Sequence, residues 1–188
     1  MNEDHVMAFN TALRNTHREG VDSLIEAMYS GDFYNAPCSG AHHLSRPGGL
    51  VEHSLNVLNA ARALNKAWDR PIEDEESLVI VCLLHDLGKM GDHYKPNYVE
   101  NILKSGERSA AKPYTTNGEL VYIPHEVRSV MIAERYIFLS EEEEQAMLWH
   151  NGLYGQFKFD IQGKETELYM ILHFADMWAS RIMEKEDE

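Results

Sequence analysis

Leu78-Val79-Ile80-Val81-Cys82-Leu83-Leu84-His85-Asp86-Leu87-Gly88-Lys89 is the stretch on which the fold turns. The residues from Leu78 to Leu84 are all apolar, so a helix built from them has no wet face and belongs in the centre of the protein. The run ends in two adjacent side chains of metal-ligating type. Burying an uncompensated carboxylate costs several kcal/mol or more, so such a group carries a cation or hydrogen-bond donors beside it. Partners of the right type stand elsewhere in the chain: His53 upstream, and His125, His150 and Asp176 downstream.

Apolar spacing on either side of the central helix (Asp74 to Asp86) is mainly helical. Val6 to Arg14 and Val21 to Tyr29 read as two helices parted near Gly20. Asp32 to Pro47 is an irregular loop rich in Gly, Pro, Ser and His. Gly49 to Trp68 is a long amphipathic helix whose apolar stripe runs through Leu50, Leu58, Ala61, Leu64 and Trp68, with His53 at its edge. Lys112 to Ile123 reads as a small hairpin: Tyr114-Thr115-Thr116, an Asn117-Gly118 turn, then Leu120-Val121-Tyr122. Pro124 suits the first turn of a helix reaching Phe138. Ser140 with Glu143 forms a capping box for a helix through His150. A loop over Gly152 to Gly163, with a short strand pair around Lys158 to Ile161, leads to a last helix from Glu165 to Met183. The expected fold is an all-α helical bundle with a small inserted β-hairpin. It forms a single domain over residues 1–188, in which 1–37 supply N-terminal helices and 38–184 the metal-binding core.

The composition narrows the partners. The chain has 188 residues, 44% hydrophobic and 26% charged, with a formal net charge of -14. Proteins that grip phosphate backbones by counterion release carry basic surfaces, so a compact ligand suits this chain better than a long nucleic acid. Its two cysteines, Cys38 and Cys82, have no CxxC partner. The N-terminus has no basic segment followed by an apolar one, and no apolar run approaches the roughly 20 residues of a membrane span. A reducing cytoplasm is the expected compartment, and self-association is left open.

The six candidate ligands, His53, His85, Asp86, His125, His150 and Asp176, lie on or at the ends of five helices. Bundles build metal sites from side chains that project inward from facing helices. A mixed imidazole and carboxylate set favours a transition metal or manganese. Six ligands exceed the needs of one ion with open positions and suffice for two, with Asp86 as the natural bridge.

This His…His-Asp…His…His…Asp pattern resembles the HD superfamily of metal-dependent phosphohydrolases, over roughly His42 to Met183. Ala41-His42-His43-Leu44-Ser45-Arg46-Pro47-Gly48-Gly49-Leu50-Val51-Glu52-His53-Ser54-Leu55 is similar to that superfamily's first-histidine helix, closest to the branch with bacterial 3′-to-5′ exoribonucleases and standalone phage HD proteins. His85-Asp86-Leu87-Gly88-Lys89 matches its HD-[hydrophobic]-G-K form. Trp149-His150-Asn151-Gly152 and His173-Phe174-Ala175-Asp176-Met177-Trp178 resemble its later motifs. No Gly-Tyr-Pro motif, the mark of the cyclic-dinucleotide branch, follows the doublet.

The resemblance implies that His53, His85, Asp86 and Asp176 hold one ion, and that Asp86, His125 and His150 hold a second. The ions would be Mn, Fe, Zn, Co, Ni or Mg. Lys89 would face the substrate phosphate, so Asp86 and Lys89 carry the catalytic roles. Arg46 is a candidate phosphate clamp, and His43 a candidate substrate contact and proton donor to the leaving group. His5, His17 and His93 receive no role. The implied function is hydrolysis of a phosphoester or phosphodiester in a nucleotide or related small phosphorylated substrate, through a metal-activated water. The alternatives are a 3′-to-5′ exonuclease on short single strands and a catalytically silent nucleotide-binding module.

Overall fold

The computed structural model describes residues 2–68, 71–92, 94–155 and 158–185; His93 lies outside them. Its helices among these residues are α1 (Glu3–Arg14), α2 (Val21–Ser30), α3 (Gly49–Ala67), α4 (Glu75–Leu84), α5 (His125–Ala133), α6 (Glu141–Trp149) and α7 (Glu167–Trp178). Two short antiparallel strands, β1 (Tyr98–Glu100) and β2 (Tyr114–Thr116), stand between α4 and α5.

The dry helix is central. Every residue from Leu78 to Leu84 is buried, and α4 packs against α1, α3, α6 and α7. Full burial of one such aliphatic side chain contributes about 1.5–3 kcal/mol, which is why this run dictates how its neighbours lie. Asp74 starts α4 by accepting the Ser77 N–H at 3.0 Å and the Ser77 hydroxyl at 2.9 Å. The entry into α3 needs its glycine pair. Gly48 has φ +79°, and a Cβ on Gly49 would lie 2.0 Å from the Leu44 carbonyl oxygen.

The hairpin is present, but with a different partner strand. Tyr114–Thr116 pairs with Tyr98–Glu100, not with Leu120-Val121-Tyr122. A two-residue Asn-Gly turn of the hairpin type needs left-handed backbone at both positions. Gly118 is not among the residues with positive φ. Asn117 instead continues the ladder, its N–H donating to the Asn97 carbonyl at 2.9 Å. The left-handed residue is Gly106 (φ +87°), at the tip of the long connection, where its N–H donates to the Leu103 carbonyl. Pro124, at the end of the expected second strand, also has no N–H to give to a ladder.

Three boundaries also differ from the sequence reading. The helix after Pro124 stops at Ala133, not Phe138. Lys158 to Asp160 form turns, so no strand pair exists there among the described residues. The last helix begins at Glu167, capped by the Thr166 hydroxyl, and runs into a π turn over Ala179–Met183. The capping box at Ser140 and Glu143 is present as read.

Glu143 does more than cap. Both of its oxygens accept from the Arg18 guanidinium at 2.9 Å, and one also accepts the Ser77 hydroxyl at 2.7 Å. Arg18 lies between α1 and α2 and also binds Glu76 and the Phe138 carbonyl. One guanidinium thus ties the N-terminal helices to α4 and α6. Removing one partner of a buried pair costs about 3–5 kcal/mol, so Arg18→Met should lower the Tm in calorimetry by roughly 10 °C. Burial alone would raise the Glu143 pKa, but Arg18, Ser77 and the Ser140 N–H outweigh it and leave the carboxyl below its ordinary 4.5. A depressed folded pKa gives stability that is complete above the ordinary value and is lost as pH falls through the folded value. Acid titration of Arg18→Met should therefore show a shallower loss below pH 4.5 than the parent.

Candidate metal centre

The six candidate ligands converge. His53 projects from α3, His85 and Asp86 follow the last residue of α4, His125 opens α5, His150 follows the last residue of α6, and Asp176 comes from α7. Asp86 sits at the middle, 1% exposed. Its Oδ2 lies 3.4 Å from His85 Nε2, 3.6 Å from His53 Nε2 and 2.6 Å from Lys89 Nζ. Its Oδ1 lies 3.2 Å from His125 Nε2 and 3.6 Å from His150 Nε2. Asp176 Oδ1 closes the first side at 3.2 Å from His53 Nε2. The two oxygens of one carboxylate therefore face two separate sets of imidazoles.

The rings are held so that the same nitrogen of each points inward. Nδ1 of His85 is 3.0 Å from the Cys82 carbonyl oxygen, Nδ1 of His150 is 2.7 Å from that of Met147, and Nδ1 of His53 is 3.0 Å from Glu184 Oε1. These acceptors require N–H at Nδ1 and leave the Nε2 lone pairs directed at Asp86 and Asp176. An outer acceptor that fixes the tautomer is the usual companion of a metal-ligating histidine. Among the described residues, the buried side-chain polar atoms without a hydrogen-bond partner are His53 Nε2, His85 Nε2, Asp86 Oδ1 and, away on α1, His5 Nδ1. Three orphans in one cluster call for a cation. His53, His85 and Asp176 offer ligand atoms within 4.8 Å of one another, and so do His85, Asp86 and His150. The donor set fits divalent ions. His125 stands at the rim, half-buried, with Nδ1 3.3 Å from Glu126 and Nε2 3.3 Å from Asn151 Nδ2.

The charges of the group support one another. Burial would raise the Asp86 pKa, but Lys89 and the surrounding imidazoles hold it well below the carboxylate range. Burial would likewise raise Asp176, which His53 holds down. Lys89 is pushed well above its ordinary value because Asp86 outweighs its burial. Burial lowers His85. His150 is raised because Asp86 outweighs its burial.

The site opens onto two clefts. One of about 460 Å³ runs beside His125 and is lined by Asn97, Tyr98, Thr116, Tyr122 and Arg128. Another, of about 290 Å³, has Lys89 in its wall with Pro37, Tyr98 and Tyr114. Tyr98, from the strand that the sequence reading left unassigned, lines both.

Of the candidate substrate residues, Lys89 contacts the cluster through Asp86. His43 is near it, its ring centroid 5.1 Å from that of His53. Arg46 is turned elsewhere: its guanidinium binds both oxygens of Glu52, at 2.8 and 2.7 Å, on the exposed side of the loop.

Sequence reasoning missed Glu184. It lies among the C-terminal acids outside any motif, yet its side chain is 1% exposed and holds His53 and Asn56. The π turn explains this. It takes up about one extra residue, so Glu184 returns to the Asp176 side as if two regular turns separated them. Glu184→Gln can offer His53 only one acceptor oxygen and no charge. It should weaken ion binding about 10–100-fold, read by titration with a chelator as competitor, while the fold remains intact.

The sequence matches the HD domain family over residues 50–176, and the chain belongs to that family. Two curated relatives carry the name 3′-5′ exoribonuclease YhaM. The protein from Geobacillus sp. (strain WCH70) is 28% identical over 172 residues, covering 88% of this chain and 47% of its own. The one from Listeria welshimeri is 25% identical over 154 residues, covering 79% of this chain and 44% of its own. The chain thus spans less than half the length of the curated relatives it matches. No solved structure matches. No helix among the described residues is long and apolar enough to cross a membrane.

Proposed function

We propose that this protein is a metal-dependent phosphohydrolase that cleaves a phosphoester or phosphodiester of a nucleotide or a related small phosphorylated substrate, with water as the attacking group. The observation that carries this reading is the buried convergence of Nε2 of His53, His85 and His150 on the carboxylates of Asp86 and Asp176, with a lysine ammonium 2.6 Å from Asp86. Two divalent ions held by His53, His85, Asp86 and Asp176 on one side, and by Asp86, His125 and His150 on the other, would activate water and polarise a phosphate.

The chain's own groups do the rest. Lys89 is tethered to Asp86 and forms part of a cleft wall, so its ammonium can neutralise charge that grows on a phosphate oxygen. Asp86 stays ionised at neutral pH because Lys89 and the histidines hold it so. Tyr98 and Thr116 of the hairpin, with Tyr122 after it, border the cleft beside His125 and offer a face and a hydroxyl to a base or sugar. We assign His43, whose ring lies beside that of His53, the proton for the leaving group. Arg46 reaches substrate only by releasing Glu52, so we assign it a clamp role in the loaded enzyme alone. Two free thiols suit a reducing cytoplasm.

The names of the relatives favour a second reading, 3′-to-5′ trimming of short single strands. The net charge of -14 weighs against long nucleic acid. One experiment separates these readings. Protein loaded with manganese, cobalt or zinc is offered nucleotides, generic phosphodiesters and labelled oligonucleotides. Release from the small substrates without laddered oligonucleotide products is the expected result, and ladders would establish the second reading. Nucleotide binding with no product from any substrate would reject both in favour of a silent binding module.

A further inference from the structure

Beside the HD centre lies a cluster whose thiol the proposed chemistry does not use. Cys38 and His43 come from the loop before α3, and Glu184 from beyond the π turn. The loop is held tightly. The Cys38 N–H donates to the Leu44 carbonyl at 3.2 Å, and the Ser39 hydroxyl donates to the His43 carbonyl at 2.9 Å. This aims the two side chains at each other, with Cys38 Sγ 3.3 Å from His43 Nε2. His43 Nε2 is in turn 3.9 Å from Glu184 Oε2, which Asn56 does not use and which also lies 3.1 Å from His53 Nδ1. Cys38, His43 and His53 offer ligand atoms within 4.8 Å of one another. Cys38 is fully buried, Glu184 nearly so, and His43 is the one with an exposed edge.

Sulfur, imidazole and carboxylate together make a donor set different from the His/Asp centre. In tetrahedral zinc sites the ligand atoms lie about 3.3–3.6 Å apart, given Zn–S near 2.3 Å and Zn–N or Zn–O near 2.0–2.1 Å. The separations of 3.3 and 3.9 Å straddle that edge. A thiolate selects zinc-like ions over magnesium or manganese. The Lys89 ammonium lies 3.9 Å from Cys38 Sγ. The other thiol, Cys82, lies within the apolar core of α4, where burial pushes it up.

We propose that Cys38, His43 and Glu184 form a third cation position, selective for a thiophilic divalent ion of the zinc class, that shares Glu184 with the hydrolytic centre. The position stands whether or not the protein is a phosphohydrolase. One consequence does rest on that reading: an ion here takes His43 from the substrate and crowds Lys89, so zinc above the amount that fills the centre slows turnover.

Cobalt titration of the whole protein, followed by absorption, tests the position directly. The parent should show a thiolate-to-cobalt band in the near ultraviolet and bind one more equivalent of cobalt than of manganese. Cys38→Ser, nearly isosteric at a buried site, should lose the band and that one equivalent. His43→Ala should keep the fold and weaken the band-forming event at least tenfold. His150→Gln, which alters only the hydrolytic centre, should keep the band. A parent without the band, a band that survives in Cys38→Ser, or one that vanishes in His150→Gln would each overturn the proposal. Turnover that excess zinc leaves unchanged, with the band intact, would overturn the inhibitory consequence alone, and absence of turnover with the band intact would count against the hydrolytic reading.

Discussion

Asp86→Ala is expected to lose the bound ions and to reduce turnover at least a thousandfold, to background. Among the described residues Asp86 faces both sets of imidazoles directly: one oxygen faces His53 and His85, the other His125 and His150. Its removal leaves four rings with no shared anion, and it leaves Lys89, whose side chain is 15% exposed, without its partner. A buried charge stripped of its counter-ion costs about 3–5 kcal/mol, so the variant should also melt earlier than the parent. Asp86→Asn separates the two effects. The amide keeps the shape and one acceptor, but it cannot bridge two cations. It should recover part of the melting temperature and none of the turnover. Metal analysis of the purified proteins, paired with phosphate release, reads both variants. Turnover by Asp86→Ala within tenfold of the parent would contradict the assignment.

Gly88→Ala is the second change expected to have a large effect, and it alters no candidate ligand side chain. A Cβ at Gly88 would lie 2.2 Å from the His125 carbonyl oxygen, 2.8 Å from Arg128 Cβ and 2.9 Å from the Ser129 nitrogen. Its N–H also donates to the Ser129 hydroxyl at 2.8 Å. The turn after the His-Asp doublet lies directly on the first turn of α5, and one methyl group would force the two apart. Overpacking of this kind costs about 1–3 kcal/mol, a Tm lower by roughly 3–10 °C. The larger effect should fall on catalysis. α5 carries His125, and displacing a group by about 1 Å can cost a hundredfold in rate. Gly118→Ala is the control: nothing lies within 4 Å of its added carbon, and its φ is not positive. It should match the parent in both melting and turnover.

The central helix was legible because nothing but burial accommodates seven apolar residues in a row, and burial is where α4 lies. The six candidate ligands could be collected from the sequence because their residue types recur in a motif order, and the other five gather around Asp86 and His53. The capping box was legible because it is local. What escaped detection depends on the third dimension. Tyr98–Glu100 has no turn residue to announce it as the partner of Tyr114–Thr116, so the nearer Asn-Gly pair misled. Glu184 is one acid among several until a π turn rotates it inward. Arg18 carries no local signal of its role, yet it meets Glu143 across 125 positions of sequence. Arg46 reads as a phosphate clamp because of its motif, and the acid six residues on has taken its guanidinium.

His85 and His150 occupy the same place on their helices, each the residue that ends one, and each ring is tied to a carbonyl three residues back. Two axes thus deliver their electron-rich tips, each worth about half a negative charge, to one point. Attraction for a cation is therefore built into the backbone as well as into the side chains. The helices that carry these side chains are held by the apolar core, so chelation should leave the scaffold standing. Which ion fills the site then follows from relative supply and intrinsic preference for nitrogen and oxygen donors, not from any folding event that waits on metal.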